Sequence, residues 1–435
     1  MLNRLLAVAL LCSGATVILA QDRETKVRGD RELFAGDVRW IYNDLPKAFA
    51  EAEKSGKPLL VAMRCIPCEA CSQFDKQIIA GEEKLNSLLK KFVCVRVVQT
   101  NGLDLSLFQF DYDQSFHVLV LNADKTIYGR FGTRSPRPEH EDMTLEGLRE
   151  SLTAALDLHA NYPANRAALA AKTGGKPLFP APEQFPTLKG KYTSQLNYEG
   201  KVVQSCIHCH QIRDAERAYY RDRNEPLPDR VVFPYPLPDT VGMRLDGAHR
   251  ARIMEVTKDS AAAKAGLQVG DDLVSLAGQP LISPADAQWV LHQAPDKGEL
   301  AVTYRRGDET RQAKFTLDEG WRRRGNLSWR PTTWELRALA TGGINLETPP
   351  DGERGGVPEG KLALRAKHVG QFGRHALAKQ AGFVKGDILV AIDGDDSPRT
   401  ETELLAKMLA LPKGSKLPVT VLRGDKRLEL HLPTQ

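Results

Sequence analysis

The sequence has little that would place it inside a membrane or on nucleic acid. After the first twenty residues no apolar run is long enough to span a bilayer, so no membrane span is expected in the mature chain. Charge of one sign is missing as a block. The 60 Lys and Arg against 55 Asp and Glu leave a net charge of +5, with the signs interleaved along most of the chain. Such a pattern offers no basic stripe to a phosphate backbone, and no nucleic-acid partner is expected. Neither GxSxG nor GDSGG occurs, which excludes serine-protease chemistry of those motif types. Cysteine is scarce, seven in 435 residues, yet five of the seven fall into two tight clusters. Spacing that close belongs to thiol or metal chemistry more than to the stapling of loops.

What is present suffices for three or four domains, each with its own core. The chain is 42% hydrophobic and 26% charged, an ordinary globular balance. The opening stretch MLNRLLAVALLCSGATVILA joins one early Arg to an apolar run and ends in small residues. It is expected to be a signal peptide over residues 1–20, cleaved near Ala20, making the mature protein periplasmic or secreted. Cys12 follows Leu11 and is not expected to carry a lipid. Export puts the remaining six cysteines in an oxidising compartment.

From Trp40 to about Gly132, helical and strand-like patterns alternate, as in an α/β domain. LPKAFAEAEKSG reads as a helix ending at Gly56, KPLLVAM as a buried strand, and SQFDKQIIAGEEKLNSLLKKF as helix again. Cys65, Cys68 and Cys71 therefore sit between a strand end and a helix start, where the helix dipole lowers a thiol pKa. The stretch GKPLLVAMRCIPCEACSQFD resembles the thioredoxin superfamily. Pro58 precedes Cys68 by ten positions, and Phe74 and Asp75 follow Cys71. The resemblance implies a catalytic pair of Cys68, attacking as thiolate, and Cys71, resolving the mixed disulfide, within a domain over residues 36–160. Cys65 is an extra cysteine that can pair with Cys68 instead. A structural disulfide and a bound metal are the competing readings of the cluster. Glu69 in the loop opposes thiolate formation. Phe116, followed by His117, stands where the family carries a cis-proline, a departure that bears on substrate docking. Cys94, in FVCVRV, reads as a core thiol.

Residues 161–236 shift to Pro, Tyr and charge and read as an irregular connector. Within it lies Cys206-Ile207-His208-Cys209-His210. This CxxCH spacing fits covalent haem c, with thioethers at Cys206 and Cys209 and His210 as iron ligand. A zinc site using Cys206, Cys209 and His208 or His210, or a plain disulfide, also satisfies it. The thiol chemistry of the first cluster needs no cofactor.

The C-terminal half repeats itself. AGLQVGDDLVSLAG at Ala265–Gly278 and AGFVKGDILVAIDG at Ala381–Gly394 share seven of fourteen positions at an offset of 116. Each is followed by a helix-like segment and a strand hairpin, so two copies of one fold are expected over 237–320 and 321–435. TVGMRLDGAHRARIMEVTKDSAAAKAGLQVGDDLVSLAGQPL closely resembles bacterial PDZ domains of exported proteases. That resemblance implies that Val241, Gly242 and Met243 form the loop binding a peptide C-terminal carboxylate, with the peptide adding as a strand. GGINLE at Gly342–Glu347 is the candidate first strand of the second copy. WRRRGNLSWRPTTWELRALATGG reads either as part of that strand or as a linker. The whole order is similar to a family of exported thioredoxin and PDZ fusion proteins, some thought to carry selenocysteine in the redox motif. The expected architecture is multidomain: an α/β thioredoxin-like domain, the connector and two β-rich PDZ-like domains. The expected function is thiol-disulfide exchange with protein partners recruited through the PDZ modules; the competing class is a non-enzymatic scaffold or a haem electron-transfer protein.

Overall fold

A computed structural model describes residues 23–68 and 71–435. The expected signal segment, Cys12 and Glu69 lie outside the described residues.

The N-terminal sheet is built from β1 (Trp40–Tyr42), β2 (Leu59–Arg64), β3 (Val93–Val97), β4 (Phe116–Leu121) and β5 (Ile127–Phe131), in the order β1-β3-β2-β4-β5. β1, β3 and β2 run parallel, while β4 and β5 are antiparallel to their neighbours. β2 is central and buried on both sides, so it reads as a continuous apolar run. Leu60 and Ala62 point into one core with Phe74, Ile78, Leu148 and Leu152. Leu59, Val61 and Met63 point into the other.

Helices packed on this sheet include α1 (Leu45–Ser55), α2 (Ser72–Ala80) and α3 (Leu145–Ala160), with a shorter helix at Glu83–Leu89 adding Leu85 and Leu89 to the first core. Asp44 caps α1 by accepting from Lys47 N–H, and Gly56 closes it at φ 68°, where a side chain would be strained. Thr144 caps α3 in the same way.

The connector is largely turns and four-residue helices, in keeping with an irregular segment, but it is packed into the fold and carries one longer helix. Phe185, Leu188, Ile207, Ile212 and Ala215 complete the second core beside β2 and β3. Its main element, α4 (Cys209–Asp222), opens with a reciprocal cap between His208 and Gln211. The opposite side of α4 buries Arg213, Arg217 and Arg221. Arg217 donates to Thr332 O at 3.0 Å, and Arg221 to Gln435 O at 2.6 Å. The connector thus belongs to the thioredoxin-like unit on one side and to the C-terminal unit on the other.

The first β-rich unit contains β6 (Met243–Leu245), β7 (Ile253–Val256), β8 (Asp272–Leu276), β9 (Gln279–Pro280), β10 (Gly298–Arg306) and β11 (Glu309–Leu317), with helix α5 (Pro284–Gln293). Its sheets are β11-β10-β8-β9 and β6-β7. The second has helix α6 (Thr333–Thr341), strands β12 (Ile344–Glu347), β13 (Leu364–Val369), β14 (Ile388–Ile392), β15 (Lys416–Arg423) and β16 (Lys426–Pro433), and helix α7 (Glu401–Leu409). GGINLE supplies β12 as expected. The tryptophan-containing segment before it is neither strand nor loose linker, since it forms α6 and a buried anchor.

The repeat is visible in side-chain detail. Arg306 binds Asp271 Oδ1 at 2.8 Å and Gly266 O at 2.8 Å. At matching places Arg423 binds Asp387 Oδ1 at 2.8 Å and Gly382 O at 2.7 Å. In each copy the Asp also accepts a loop N–H, from Gln268 or Val384. A buried Asp held this way fixes the turn of the AGxxxGD segment.

Candidate redox site

β2 ends at Arg64, and the chain turns at once. Cys65 N–H donates to Ser115 O at 2.9 Å, and Cys68 N–H donates to Cys65 O at 3.1 Å. The buried Arg64 guanidinium sits beneath this turn, donating to Cys65 O at 2.5 Å, Ser115 O at 3.2 Å and Cys68 O at 2.8 Å. Asp75 holds Arg64 at 3.3 Å and is itself held by Arg96, which also binds Asp30. A chain of four alternating buried charges therefore fixes the motif from below. Sequence spacing had singled out Asp75 but not Arg64, Arg96 or Asp30, because a buried charge network has no periodic signature.

The sulfurs meet in an arrangement that spacing alone did not select. Cys65 Sγ lies 3.1 Å from Cys68 Sγ and 3.2 Å from His208 Nδ1 of the connector. Cys71 is the buried residue before α2, at φ 62°. Burial raises its thiol pKa, while a hydrogen bond from Ser115 works against that rise. The Cys65 thiol donates to the Cys68 thiolate, so Cys65 is pushed up and Cys68 is brought down to about 6. The charges of His210, Arg64 and Arg23 add to the lowering at Cys68. Cys68 is thus the thiol of the cluster whose environment favours the thiolate.

The sign of this shift gives a prediction. Because folding depresses the Cys68 pKa, its ionised form stabilises the fold above the ordinary thiol range, and that contribution fades as pH falls through about 6. Iodoacetamide alkylation of Cys68, followed by peptide mapping, should be nearly flat from pH 9 to 7. It should then drop about tenfold per unit below 6. A profile that falls from pH 9 downward would mark an ordinary thiol.

Phe116, in place of the family's proline, starts β4 and packs edge-on to Phe74 at 5.3 Å. Ser115, just before it, has its carbonyl taken by Cys65 N–H and Arg64. His117 is buried and stacked on Phe110 at 4.8 Å, with its pKa lowered well below the usual value by burial. Cys94 is the expected core thiol, raised by burial to about 12.

CIHCH is brought directly against the first cluster. Thr100 Oγ1 donates to Ile207 O at 2.7 Å, and Ile207 N–H donates to Asn101 Oδ1 at 2.8 Å. Asn101 Nδ2 also binds Ser205 O at 2.9 Å. Thr100 and Asn101, which carry no sequence signal, therefore clamp the motif to the sheet. Cys206 is buried and raised to about 12 by burial, and burial also raises Cys209. Burial brings His208 down to about 4, so its ring is neutral and can face the Cys65 thiol. His210 lies 3.9 Å from Asp214, which raises its pKa.

These residues do not fit a covalent haem in this packing. The cavity at Cys206 and Cys209 holds about 10 Å³, and the one at Cys68, Cys209 and His210 about 300 Å³. Cys206, one of the two thioether positions, lines only the smaller of these, which has no room for a macrocycle. Among the described residues no three Cys, His, Asp or Glu side chains are grouped to hold a metal ion. No step below is routed through haem or zinc.

Val241-Gly242-Met243 lie at the start of β6, with Gly242 at φ 83° and Val241 and Met243 buried. A Cβ on Gly242 would stand 2.0 Å from Ser260 Cβ, so glycine is required there. The strand and helix beside this loop are both covered by the thioredoxin-like unit. Arg244 on β6 pairs with Glu141 at 2.8 Å, and α5 buries Pro284 through Leu291. From α5, Asp286 Oδ1 accepts from Arg130 N–H at 3.1 Å and Gln288 Oε1 from Thr133 Oγ1 at 2.6 Å, while Lys172 and Ala171 of the connector meet Asp286 and Trp289. In the second copy α6 packs on both α7 and β12, and Leu346 N–H donates to Glu401.

Comparison with known proteins supports the two recognisable parts. Residues 40–123 match the thioredoxin-like family, and residues 230–317 match the PDZ domain family. No curated protein matches the chain. Among solved structures, an HtrA-type protease with a decapeptide is 15% identical, with a TM-score of 0.22; the match covers 42% of this chain and 53% of that one. The chain therefore spans about half the length of that structure. A thioredoxin-like domain and a PDZ domain are thus joined in one chain, a redox fold with a protein-interaction fold.

Proposed function

We propose that this chain is a periplasmic or secreted thiol-disulfide oxidoreductase in which Cys68 is the attacking thiolate and a protein disulfide is the substrate. The observation that carries the reading is the Cys68 environment: a thiol donor 3.1 Å away and the guanidinium of Arg64 beneath the turn. Cys68 attacks a partner disulfide, forming a mixed disulfide and releasing one partner thiolate. A second cysteine then attacks Cys68 and frees the other. Spacing assigns this resolving step to Cys71, whereas the sulfur contact favours Cys65.

The PDZ modules supply partner recruitment in this proposal, through the Gly242 loop and the C-termini of proteins. A second role is favoured by the covered faces of α5, β6 and β12: the modules brace the redox unit without binding peptide.

Insulin reduction by the full chain tests the redox reading and separates the two resolving thiols. Cys65→Ser is expected to accumulate a covalent complex with insulin, visible on a non-reducing gel, while Cys71→Ser keeps turning over. Accumulation with Cys71→Ser alone would return the resolving role to Cys71. No reduction by the parent chain would remove the enzyme reading.

A further inference from the structure

We propose that Cys206 and Cys209 are the internal exchange partner of Cys65 and Cys68, so that two electrons pass between the two pairs within one chain. This rests on the redox reading above and names a partner for the same site.

The fold goes to some length to bring the pairs together. They are separated by more than 130 residues, yet Cys65, Cys68 and Cys209 line one cavity of about 300 Å³, and Cys65, Cys206 and Cys209 line a second. Thr100 and Asn101 hold the connector at Ile207 and Ser205, between and beside the connector cysteines. His208, lying between the same two cysteines, reaches Cys65 Sγ at 3.2 Å. A motif needed only to close its own loop has no use for such a clamp. A motif that must present a disulfide to one thiolate does.

Cys209 lines both cavities and Cys206 only the smaller one, so Cys209 is the sulfur presented to Cys68. With the connector pair oxidised, the Cys68 thiolate attacks Cys209 Sγ. The Cys68–Cys209 bond forms, the Cys206–Cys209 bond breaks, and Cys206 leaves as thiolate. Cys65 then gives its proton to the released Cys206 thiolate, which lines the same small cavity and is made basic by burial, and attacks Cys68 Sγ. The Cys65–Cys68 bond forms, the Cys68–Cys209 bond breaks, and Cys209 leaves as thiolate. The first pair has been oxidised by two electrons and the connector pair reduced by two. The reverse sequence uses the same atoms, and a dithiol or disulfide protein loads or unloads either pair.

The test uses the full chain carrying Cys65→Ser, Cys71→Ser and Cys206→Ser, which removes every thiol able to resolve the intermediate. Treated with oxidised glutathione and mapped without reduction, it should carry a Cys68–Cys209 disulfide in most molecules, at a yield that does not change over a tenfold range of protein concentration. A Cys68–glutathione adduct with Cys209 free overturns the relay. As a check that needs no substitution, fully reduced parent protein is given one equivalent of diamide and quenched in acid. Disulfide should be found at both pairs, and none at Cys206–Cys209 contradicts the proposal. Insulin reduction by the parent distinguishes the two readings. If it proceeds while the internal disulfide never forms, only the relay falls; if it is absent, the redox reading falls as well.

Discussion

Cys68→Ser should abolish insulin reduction by the full chain, a loss of about two orders of magnitude or more, because it removes the nucleophile and leaves no equivalent nearby. Cys65 cannot take over: it is buried, and its thiol is raised by donating to Cys68 and by desolvation. Cys71 is also buried and raised. A serine hydroxyl at 68 is not ionised near neutral pH and cannot form the mixed disulfide. The substitution removes one sulfur from a partly exposed turn, so the far-ultraviolet circular dichroism spectrum should be unchanged. Retained activity would mean that another thiol performs the attack.

Arg330→Met should lower the stability of the whole chain by about 3–5 kcal/mol at pH 7, the cost of leaving buried charge without its partner. Arg330 is buried and donates to both oxygens of Asp111 at 2.7 Å and to Asp113 at 3.0 Å. It also donates to Pro234 O at 2.8 Å and Tyr235 O at 3.1 Å. One side chain thereby ties together the thioredoxin-like unit, the connector and the segment leading to α6. Methionine fills a similar volume, so the loss is chiefly electrostatic. Without the guanidinium the two carboxylates favour protonation more in the folded chain than in the unfolded one. The deficit should then be full at neutral pH and shrink as pH falls through the raised carboxylate range. Urea unfolding at pH 7 and pH 5 measures both values. An equal deficit at the two pH values would point to lost packing.

The parts of this structure that were legible in the sequence are those with a repeating or spaced signal. The alternation around β2 gave the α/β unit, and the Pro58-to-Cys68 spacing placed the redox turn after a central strand. The 116-residue offset marked the C-terminal repeat, which reappears as the matching Arg306–Asp271 and Arg423–Asp387 pairs. The connector was not legible, for a physical reason. α4 is buried on two sides, but one side is lined by Arg213, Arg217 and Arg221, which a search for apolar periodicity counts as solvent-facing. Arg217 and Arg221 on that side are satisfied by backbone oxygens of the C-terminal unit, and these contacts span more than a hundred residues.

The site was legible in its ingredients and not in its assembly. Five of the cysteines and the two histidines of CIHCH stood out by spacing, but nothing local showed that the two motifs share a surface. Thr100 and Asn101 make that junction, and both look like ordinary loop residues. The register of the pair was also open. Helix-start logic favours Cys68 with Cys71, while the fold turns Cys65 back onto Cys68 through the Cys68 N–H to Cys65 O hydrogen bond.

The most direct measurement of the central claim is the redox state of each cysteine in the full chain, mapped by mass spectrometry after equilibration across a series of glutathione buffers. The account predicts that Cys68 passes reversibly from free thiol to an intrachain disulfide as the buffer becomes more oxidising, while Cys94 stays reduced. A Cys68 that never enters an intrachain disulfide at any potential would contradict it.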